Sequence, residues 1–484
     1  MVAVKRFAPA VFLLLVCFIF PERYVCASGF ALYESTATLE GMGIAGVAAV
    51  PDVGVAFFNP AAVGFLPKSK RKEIAIGGHY IHLDVLFQNQ GSEQPAFPAV
   101  LPLPTESENA KSSSSALLPN ISVSFPLSRK YDLMGGFLIG VPFGLSTDYG
   151  NRWVGRYYAT FSDVKSFLFN PFLSLRVNPS LSLGLGFNVL YFQSSLSQQV
   201  NLSEAVAQSL SKQVGRTLSS LCASKLPAPY VNLQGYVDLV CGKRGEAKSN
   251  FSGSVFETGW NAGIMYQPVD SWRLGLSYRQ GYSLQVDGVV GITDFDPGFA
   301  IFQGLSPADG PTSLKTRAGK AYIDLPSLLD ISAFHKINDR FDISIDIRRQ
   351  GWSNAKYLVL SDSAGKVRSV YLDARTTWGA HVGGQYQYSD NLTLRSGFFV
   401  EQGFSSEDKR YLLPRLPDAN RLGLSGGATY IVSPVSDLSL SVLYVSSISS
   451  AKIAADIEPT SSGILKGEFD SHAWVLGAQY TYAF

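Results

Sequence analysis

The stretch Arg340-Phe341-Asp342-Ile343-Ser344-Ile345-Asp346-Ile347-Arg348 decides how the rest of the chain is read. In an extended strand successive side chains point to opposite faces, so Phe341, Ile343, Ile345 and Ile347 share one face and Asp342, Ser344, Asp346 and Arg348 the other. One face is greasy and the other polar or charged. The same alternation sets Leu181, Leu183, Leu185, Phe187, Val189 and Tyr191 against Ser182, Gly184, Gly186 and Asn188. It recurs where Leu274, Leu276 and Tyr278 stand against Arg273, Ser277 and Arg279. Such segments run for about 12 to 20 residues, long for a soluble strand but suited to a tilted strand that crosses a membrane and projects beyond it.

The connections alternate between short and long. Short turns are expected at Ser128-Arg129-Lys130, Asn178-Pro179-Ser180, Pro268-Val269-Asp270-Ser271, Asn338-Asp339, Ser389-Asp390-Asn391 and Pro434-Val435-Ser436-Asp437. Long polar or Gly/Pro-rich connections fall near residues 89–115, 147–161, 200–249, 289–317, 355–370, 404–418 and 454–468. Six turns at one end and seven loops at the other predict an all-β fold, a transmembrane antiparallel β-barrel of about 14 strands. At the C-terminus Trp474, Leu476, Ala478, Tyr480, Tyr482 and Phe484 share one parity, so the chain stops on an aromatic of a lipid-facing strand. Many of the 23 tyrosines fall near strand ends, as interfacial girdles require.

Composition agrees. Of 484 residues 46% are hydrophobic and 16% charged, with 40 Lys+Arg against 38 Asp+Glu. That excludes a disordered tail and leaves no basic stripe for nucleic acid. Lys5 and Arg6, the apolar run from Ala10 to Phe20 and Val25-Cys26-Ala27 read as a secretory signal over residues 1–27. Removing it leaves Cys222 and Cys241, which in an oxidising compartment are expected to form a disulfide.

Two regions do not alternate. Residues 28–67 are rich in Gly and Ala, and a barrel of this width cannot fill its own lumen, so they are expected to form an N-terminal hatch inside the barrel, residues 68–484. The basic cluster Lys68, Lys70, Arg71 and Lys72 would mark the passage from hatch to wall at the periplasmic rim. Within the long extracellular loop 200–249, Leu202, Val206, Leu210, Val214, Leu218 and Leu221 recur at helical spacing. An amphipathic helix there would either cap the barrel mouth or offer greasy ligands a landing surface. In the third strand Gly135, Gly136, Gly140, Pro142 and Gly144 interrupt an apolar segment. Proline cannot donate to a ladder and glycine weakens it, so this strand should kink and lose bonds to its neighbour, either as a rim bulge or as a gap that opens sideways.

No enzyme motif survives its context. Gly41, Gly43 and Gly46 spell a dinucleotide fingerprint without a βαβ unit, and Gly423-Leu424-Ser425-Gly426-Gly427 copies a nucleophile elbow inside an alternating strand where Ser425 faces the lumen. The five histidines are scattered, and His79 and His82 fall on opposite faces of a strand, so no metal or cofactor is expected.

The mature start Ser28-Gly29-Phe30-Ala31-Leu32, Asn59-Pro60-Ala61, Gly259-Trp260-Asn261-Ala262-Gly263, Leu325-Pro326, Leu416-Pro417-Asp418 with Arg421 and the ending Tyr480-Thr481-Tyr482-Ala483-Phe484 together resemble the FadL-type outer-membrane transporters of long-chain fatty acids and other hydrophobic compounds. The resemblance implies passive uptake across the Gram-negative outer membrane. Capture would occur in an outer-loop groove, here at Leu202, Val206 and Leu210, and a deeper site would touch the hatch. Hatch movement would follow, with lateral exit at Gly140, Pro142 and Gly144. It implies Phe30 as a lining group and Arg375 as the basic residue for a carboxylate. Parity places His381 and Gln385 inward beside Arg375, and a second basic position of the family falls on Gln198. Arg375 would otherwise pair with a lumenal acid such as Asp346. Gln198 in place of a cation admits neutral aromatic hydrocarbons as the ligand class; a barrel lipase or an adhesin is the remaining reading. The partners implied are outer-membrane lipid, a hydrophobic small molecule and the barrel assembly machinery, for a monomer.

Overall fold

The computed structural model describes residues 30–95, 108–128, 130–228, 230–242, 245–296, 316–363, 367–405, 408–456 and 462–484. The leader expected over 1–27, with Ser28 and Gly29, lies outside them. Twenty paired segments join into fourteen antiparallel wall strands, six of them built from two pieces. These are β1 (Glu73–Asn89), β2 (Ala110–Ser128), β3 (Leu133–Gly140 and Gly144–Asp148), β4 (Phe161–Asn178), β5 (Leu181–Asn201), β6 (Glu246–Val269) and β7 (Trp272–Arg279 and Tyr282–Thr293). The second half comprises β8 (Arg317–Leu325 and Leu328–Lys336), β9 (Phe341–Gln350 and Tyr357–Asp362), β10 (Val367–Tyr371 and Thr377–Ser389), β11 (Leu392–Glu401), β12 (Arg421–Ser433), β13 (Ser436–Ser447 and Ala451–Ala455) and β14 (Leu465–Ala483). The wall closes where β1 pairs with β14, from Glu73 opposite Ala483 to Asn89 opposite Gly467. Closure satisfies the backbone of both edges, which a bilayer demands.

The deciding stretch behaves as its alternation requires. Phe341 is 36% exposed on the outside, whereas Asp346 and Arg348 are 0% and 1% exposed inside. Burial is inverted relative to a soluble protein: apolar side chains meet lipid and polar ones are covered. Trp474, Leu476, Tyr480, Tyr482 and Phe484 project outward from β14 and its end, while Gln479 and Thr481 are buried. The six short turns all join successive strands at one end. One of the seven long connections differs from expectation: most of 355–370 is a hairpin extension in which Tyr357 pairs with Tyr371 and Ser361 with Val367.

The lumen holds the hatch. It is a one-turn helix α1 (Ala37–Glu40) followed by 3-10 turns at Val47–Ala49, Val53–Phe57 and Pro60–Phe65. Short turns leave backbone donors unmet, and polar caps meet them: Thr36 accepts from Thr38 N–H, Asp52 from Gly54 N–H and Asn59 from Ala61 N–H. Asn59 also donates to the carbonyl of Ile264 in β6 at 3.2 Å. A side chain on Gly263 would collide with Asn59, and one on Gly184 with Ala61, so the wall is thinned where Asn59-Pro60-Ala61 rests. Gly43 and Gly46, read above as a false fingerprint, have φ of +67° and +100°. The amide of Gly43 donates to Ser425 Oγ at 2.6 Å, which gives the false nucleophile a structural duty.

Wall charges hold the hatch by its carbonyls. Arg273 donates to Ala48 and Ala49 at 2.9 and 3.1 Å, Arg279 to Phe57, and Arg348 to Ile44 at 2.6 Å. Asp330 and Asp346 flank Arg348 at 2.8 and 3.3 Å. At the rim Lys70 meets Asp437 at 2.9 Å and Arg71 meets Asp132, so the basic cluster ties the hatch exit to two periplasmic turns.

Candidate functional site

β3 is a strand whose two pieces have different neighbours on one side. Its first piece pairs with β2 from Ser128–Leu133 to Ile121–Ile139, and its second piece, Gly144–Asp148, pairs with β4 alone. Between them Val141, Pro142 and Phe143 leave the ladder. Above Ile121 the β2 edge therefore has no strand partner on that side until Ser112 Oγ accepts from Asp148 N–H at 2.7 Å. The ladder between β2 and β3 is thus interrupted where the kink was expected, at Gly140, Pro142 and Gly144.

The hatch's first described residues occupy the inner side of that interruption. Leu32 N–H donates to the Pro142 carbonyl at 2.9 Å and Gly144 N–H to the Phe30 carbonyl at 3.0 Å. Backbone groups that the kink strips of a strand partner are satisfied by the start of the hatch. Phe30 is 3% exposed, with its ring 5.2 Å from Trp352 and 5.9 Å from Phe143.

A cavity of about 600 Å³ begins at Phe30, Leu32 and Glu34 and runs to both edges of the interruption. It touches Leu118 on the buried face of β2 and also Leu117, 71% exposed on the outer face. The cavity is thus lined by the hatch and by residues from both faces of the wall. Its roof is Pro417, Asp418 and Ala419 of the sixth outer loop, and Arg421 at the start of β12 lines it. Arg421 is bound to Glu401, Nε at 2.7 Å and Nη2 at 2.6 Å from Oε2, and Glu401 Oε1 lies 3.2 Å from His381 Nε2. His381 in turn meets the carbonyl of Gly43 at 2.9 Å.

Of the candidate site residues named from the sequence, Phe30 and Gly144 line this cavity, as do Ala31, Leu32, Pro417, Asp418 and Arg421 of the motifs quoted for the resemblance. His381 stands one carboxylate behind it. Arg375 sits elsewhere: its Nε donates to the Gly403 carbonyl at 2.9 Å and its N–H to Phe404. The strand leaves its ladder between Tyr371 and Thr377, and Asp373 takes a φ of +46°, so parity counted from Trp378 does not carry back to Arg375. Asp346, the acid considered as its alternative partner, lies 3.3 Å from Arg348 Nη2. Gln385 is bound to Asp342 at 2.9 Å. Gln198 accepts from Arg415 Nη2 at 2.7 Å, and Arg415 also reaches the Ser197 and Phe161 carbonyls, which pins the sixth loop to β4 and β5.

The long loop folds on itself. Helices α2 (Leu202–Val214), α3 (Leu218–Ala223) and α4 (Gln234–Gly242) enclose a small core in which Leu202, Val206 and Leu210 pack with Leu221, Val237 and Val240. The expected landing surface is therefore turned inward, because α4, which carried no strong sequence signal, covers it. Cys222 and Cys241 are bonded, joining α3 to α4.

Sequence reasoning gave no role to Arg421, Glu34 or Arg415. Arg421 had a signal: it shares the parity of Ser425 on the same strand, so it had to face the lumen. Glu34 and Arg415 lie in segments without period.

Residues 20–484 match the family described as outer membrane protein transport protein (OMPP1/FadL/TodX). The long-chain fatty acid transport protein of Escherichia coli O6:H1 (strain CFT073) is 25% identical over 462 residues, 95% of each chain. The 47 kDa outer membrane protein of Pasteurella multocida (strain Pm70) is 26% identical over 84% of this chain and 85% of its own. Among solved structures, a Pseudomonas aeruginosa FadL homologue superposes with a TM-score of 0.78 at 22% identity, over 94% of this chain and all of the other. The Pseudomonas putida toluene transporter TodX gives 0.60 at 18% identity, over 92% and 99%.

Proposed function

The chain belongs to the outer membrane protein transport family (OMPP1/FadL/TodX), and from that premise we propose that it is a passive outer-membrane channel for long-chain fatty acids or similar hydrophobic molecules. The observation that carries this reading is the cavity bounded by the hatch and by the interrupted ladder at β3. A ligand entering between the outer loops settles against Phe30, Phe143 and Leu118. Each methylene it buries contributes about 0.8 kcal/mol, so capture needs no energy source. Withdrawal of Phe30–Leu32 from Pro142 and Gly144 then removes those contacts and widens the gap towards lipid. Charge on the ligand is not required for this route, so a neutral aromatic hydrocarbon is the second reading. The protein acts as a monomer in outer-membrane lipid, inserted by the barrel assembly machinery. No enzymatic step enters the scheme.

The test is uptake of labelled oleate and labelled toluene by Gram-negative cells lacking their own importer. Replacing Gly140, Pro142 and Gly144 together by valine and threonine should slow uptake while the barrel still assembles. Unchanged uptake would remove the lateral route, and no uptake of either compound by a correctly assembled wild type would remove the channel.

A further inference from the structure

Resting on that reading, we propose that Lys165 is an exit station on the lateral route. It takes the carboxylate of a long-chain fatty acid at headgroup level while the alkyl chain slides out between β2 and the upper piece of β3. Among the described lining residues the fixed cations are Lys165 and Arg421. Arg421 faces the lumen and is held by Glu401 through bonds of 2.7 and 2.6 Å. The Glu401 side chain is 1% exposed, so a ligand that claimed Arg421 would leave a buried carboxylate uncompensated. Lys165 is the opposite case. It stands on the outer face of β4, opposite Gly144 at the upper end of the kink, and is 62% exposed. Its Nζ lies 2.7 Å from Asp163. An exposed pair of this kind contributes little and an ammonium carries three donors, so Lys165 can receive a second carboxylate without giving up the first.

Both banks of the opening change character at this level. On β4 the outward row runs upward through Phe169, Phe167 and Lys165, and both rings are exposed on the lipid side. Across the opening, Leu117 of β2 gives way to Ser115 and Trp474 of β14 to His472. β1 makes the same step from Tyr80 to His82, and both of these side chains bond Ser115 Oγ, at 3.0 and 2.9 Å. Apolar groups thus line the lower part of the mouth and hydrogen-bonding groups the upper part, and Lys165, Ser115 and His472 all border the cavity. A fatty acid in a bilayer has the same profile, with its chain below and its carboxylate at the interface. Taking that carboxylate through an apolar passage would strip its hydration, which is costly. A cation at the top of the step holds the charge there while the methylenes pass into lipid. His472 and the neighbouring Lys111 are less available, since both lie against Asp84, at 3.4 and 3.0 Å.

The experiment compares uptake of labelled oleate with that of labelled oleyl alcohol, which has the same chain and no charge, by Gram-negative cells lacking their own importer. Lys165→Gln should lower the ratio of oleate to alcohol uptake about fivefold. Lys165→Arg keeps the charge and should hold the ratio within about twofold of the wild type. Lys320→Gln is the control: it removes another exposed, outward-facing lysine, paired with Asp287 at 3.3 Å elsewhere on the wall, and should leave the ratio unchanged. A ratio that stays constant in Lys165→Gln, or that falls as far in Lys320→Gln, overturns the proposal and leaves the channel reading in place. So does a wild type that admits the alcohol and not oleate. Uptake of neither compound by a correctly assembled wild type overturns the channel reading and this proposal together.

Discussion

The amide of Leu32 donates to the carbonyl of Pro142 at 2.9 Å, so the hatch completes the backbone of the strand that proline breaks. This bond belongs to the plug and not to the wall, and it can be lost without unzipping a ladder. Leu32→Pro removes the donor, at a cost of about 1 kcal/mol. We expect hydrogen exchange at the Gly144 amide to accelerate about fivefold, with the β1–β14 amides unchanged. Equal protection at Gly144 would show that the segment is held by packing alone.

Arg348 is the most heavily used hatch anchor, between Asp330, Asp346 and the Ile44 carbonyl. Arg348→Met leaves two buried carboxylates without a cation and should cost about 3–5 kcal/mol. The readout is the temperature at which the folded barrel loses its compact migration on a gel. Adding Asp330→Asn and Asp346→Asn should recover most of the loss, since the penalty is unpaired charge and not lost volume.

Cys222 and Cys241 close a loop of sequence separation 19, worth about 3 kcal/mol in the chain-entropy model. Replacing both by serine should open α2–α4 to protease on intact cells. Because the loop's core is separate from the lumen core, the thermal transition of the barrel should not move. Loss of both together would mean that the loop braces the wall.

Glu34 supplies a pH dependence with a definite sign. Its folded carboxyl binds a proton more tightly than the unfolded one, mainly through burial. Its contribution is therefore fully present below the ordinary value of about 4.3 and is lost as pH rises through the raised folded value. Relative to Glu34→Gln, the wild type should lose thermal stability as pH climbs above the ordinary carboxylate range. A constant difference across that range would show that Glu34 keeps an ordinary titration.

Much of this architecture is legible because a period of two survives in most wall strands. Phe341 through Arg348 alone fix inside and outside, and the turn at Asn178-Pro179-Ser180 fixes an end. The hatch is legible only as a failure of that period, since Thr36, Asp52 and Asn59 act through long-range caps that no local pattern announces. Arg375 misleads because alternation stops at Asp373. Leu202, Val206 and Leu210 lie on the first part of the expected helix, which ends at Gly215 with φ +72° so that Leu218 and Leu221 fall on a second helix, and a helical period marks an apolar face without saying what covers it. Arg415 and Glu34 are invisible for the opposite reason: each lies in irregular backbone, and its meaning comes from partners such as Gln198 and Arg421, which are distant in sequence.

The order of manufacture runs against the order of assembly. Hatch residues bond to Ser174, Ile264, Asp346, Ser425 and Gln479, at sequence separations of 110, 205, 299, 382 and 427. A segment that precedes the whole wall in sequence thus finds its last seat only when β14 exists, and the entropic cost of such distant closure makes it a late event. Chains stalled before β14 should carry residues 30–66 open to protease while β4–β6 are already protected. An apolar stopper must therefore wait, unseated, while the vessel is built around it.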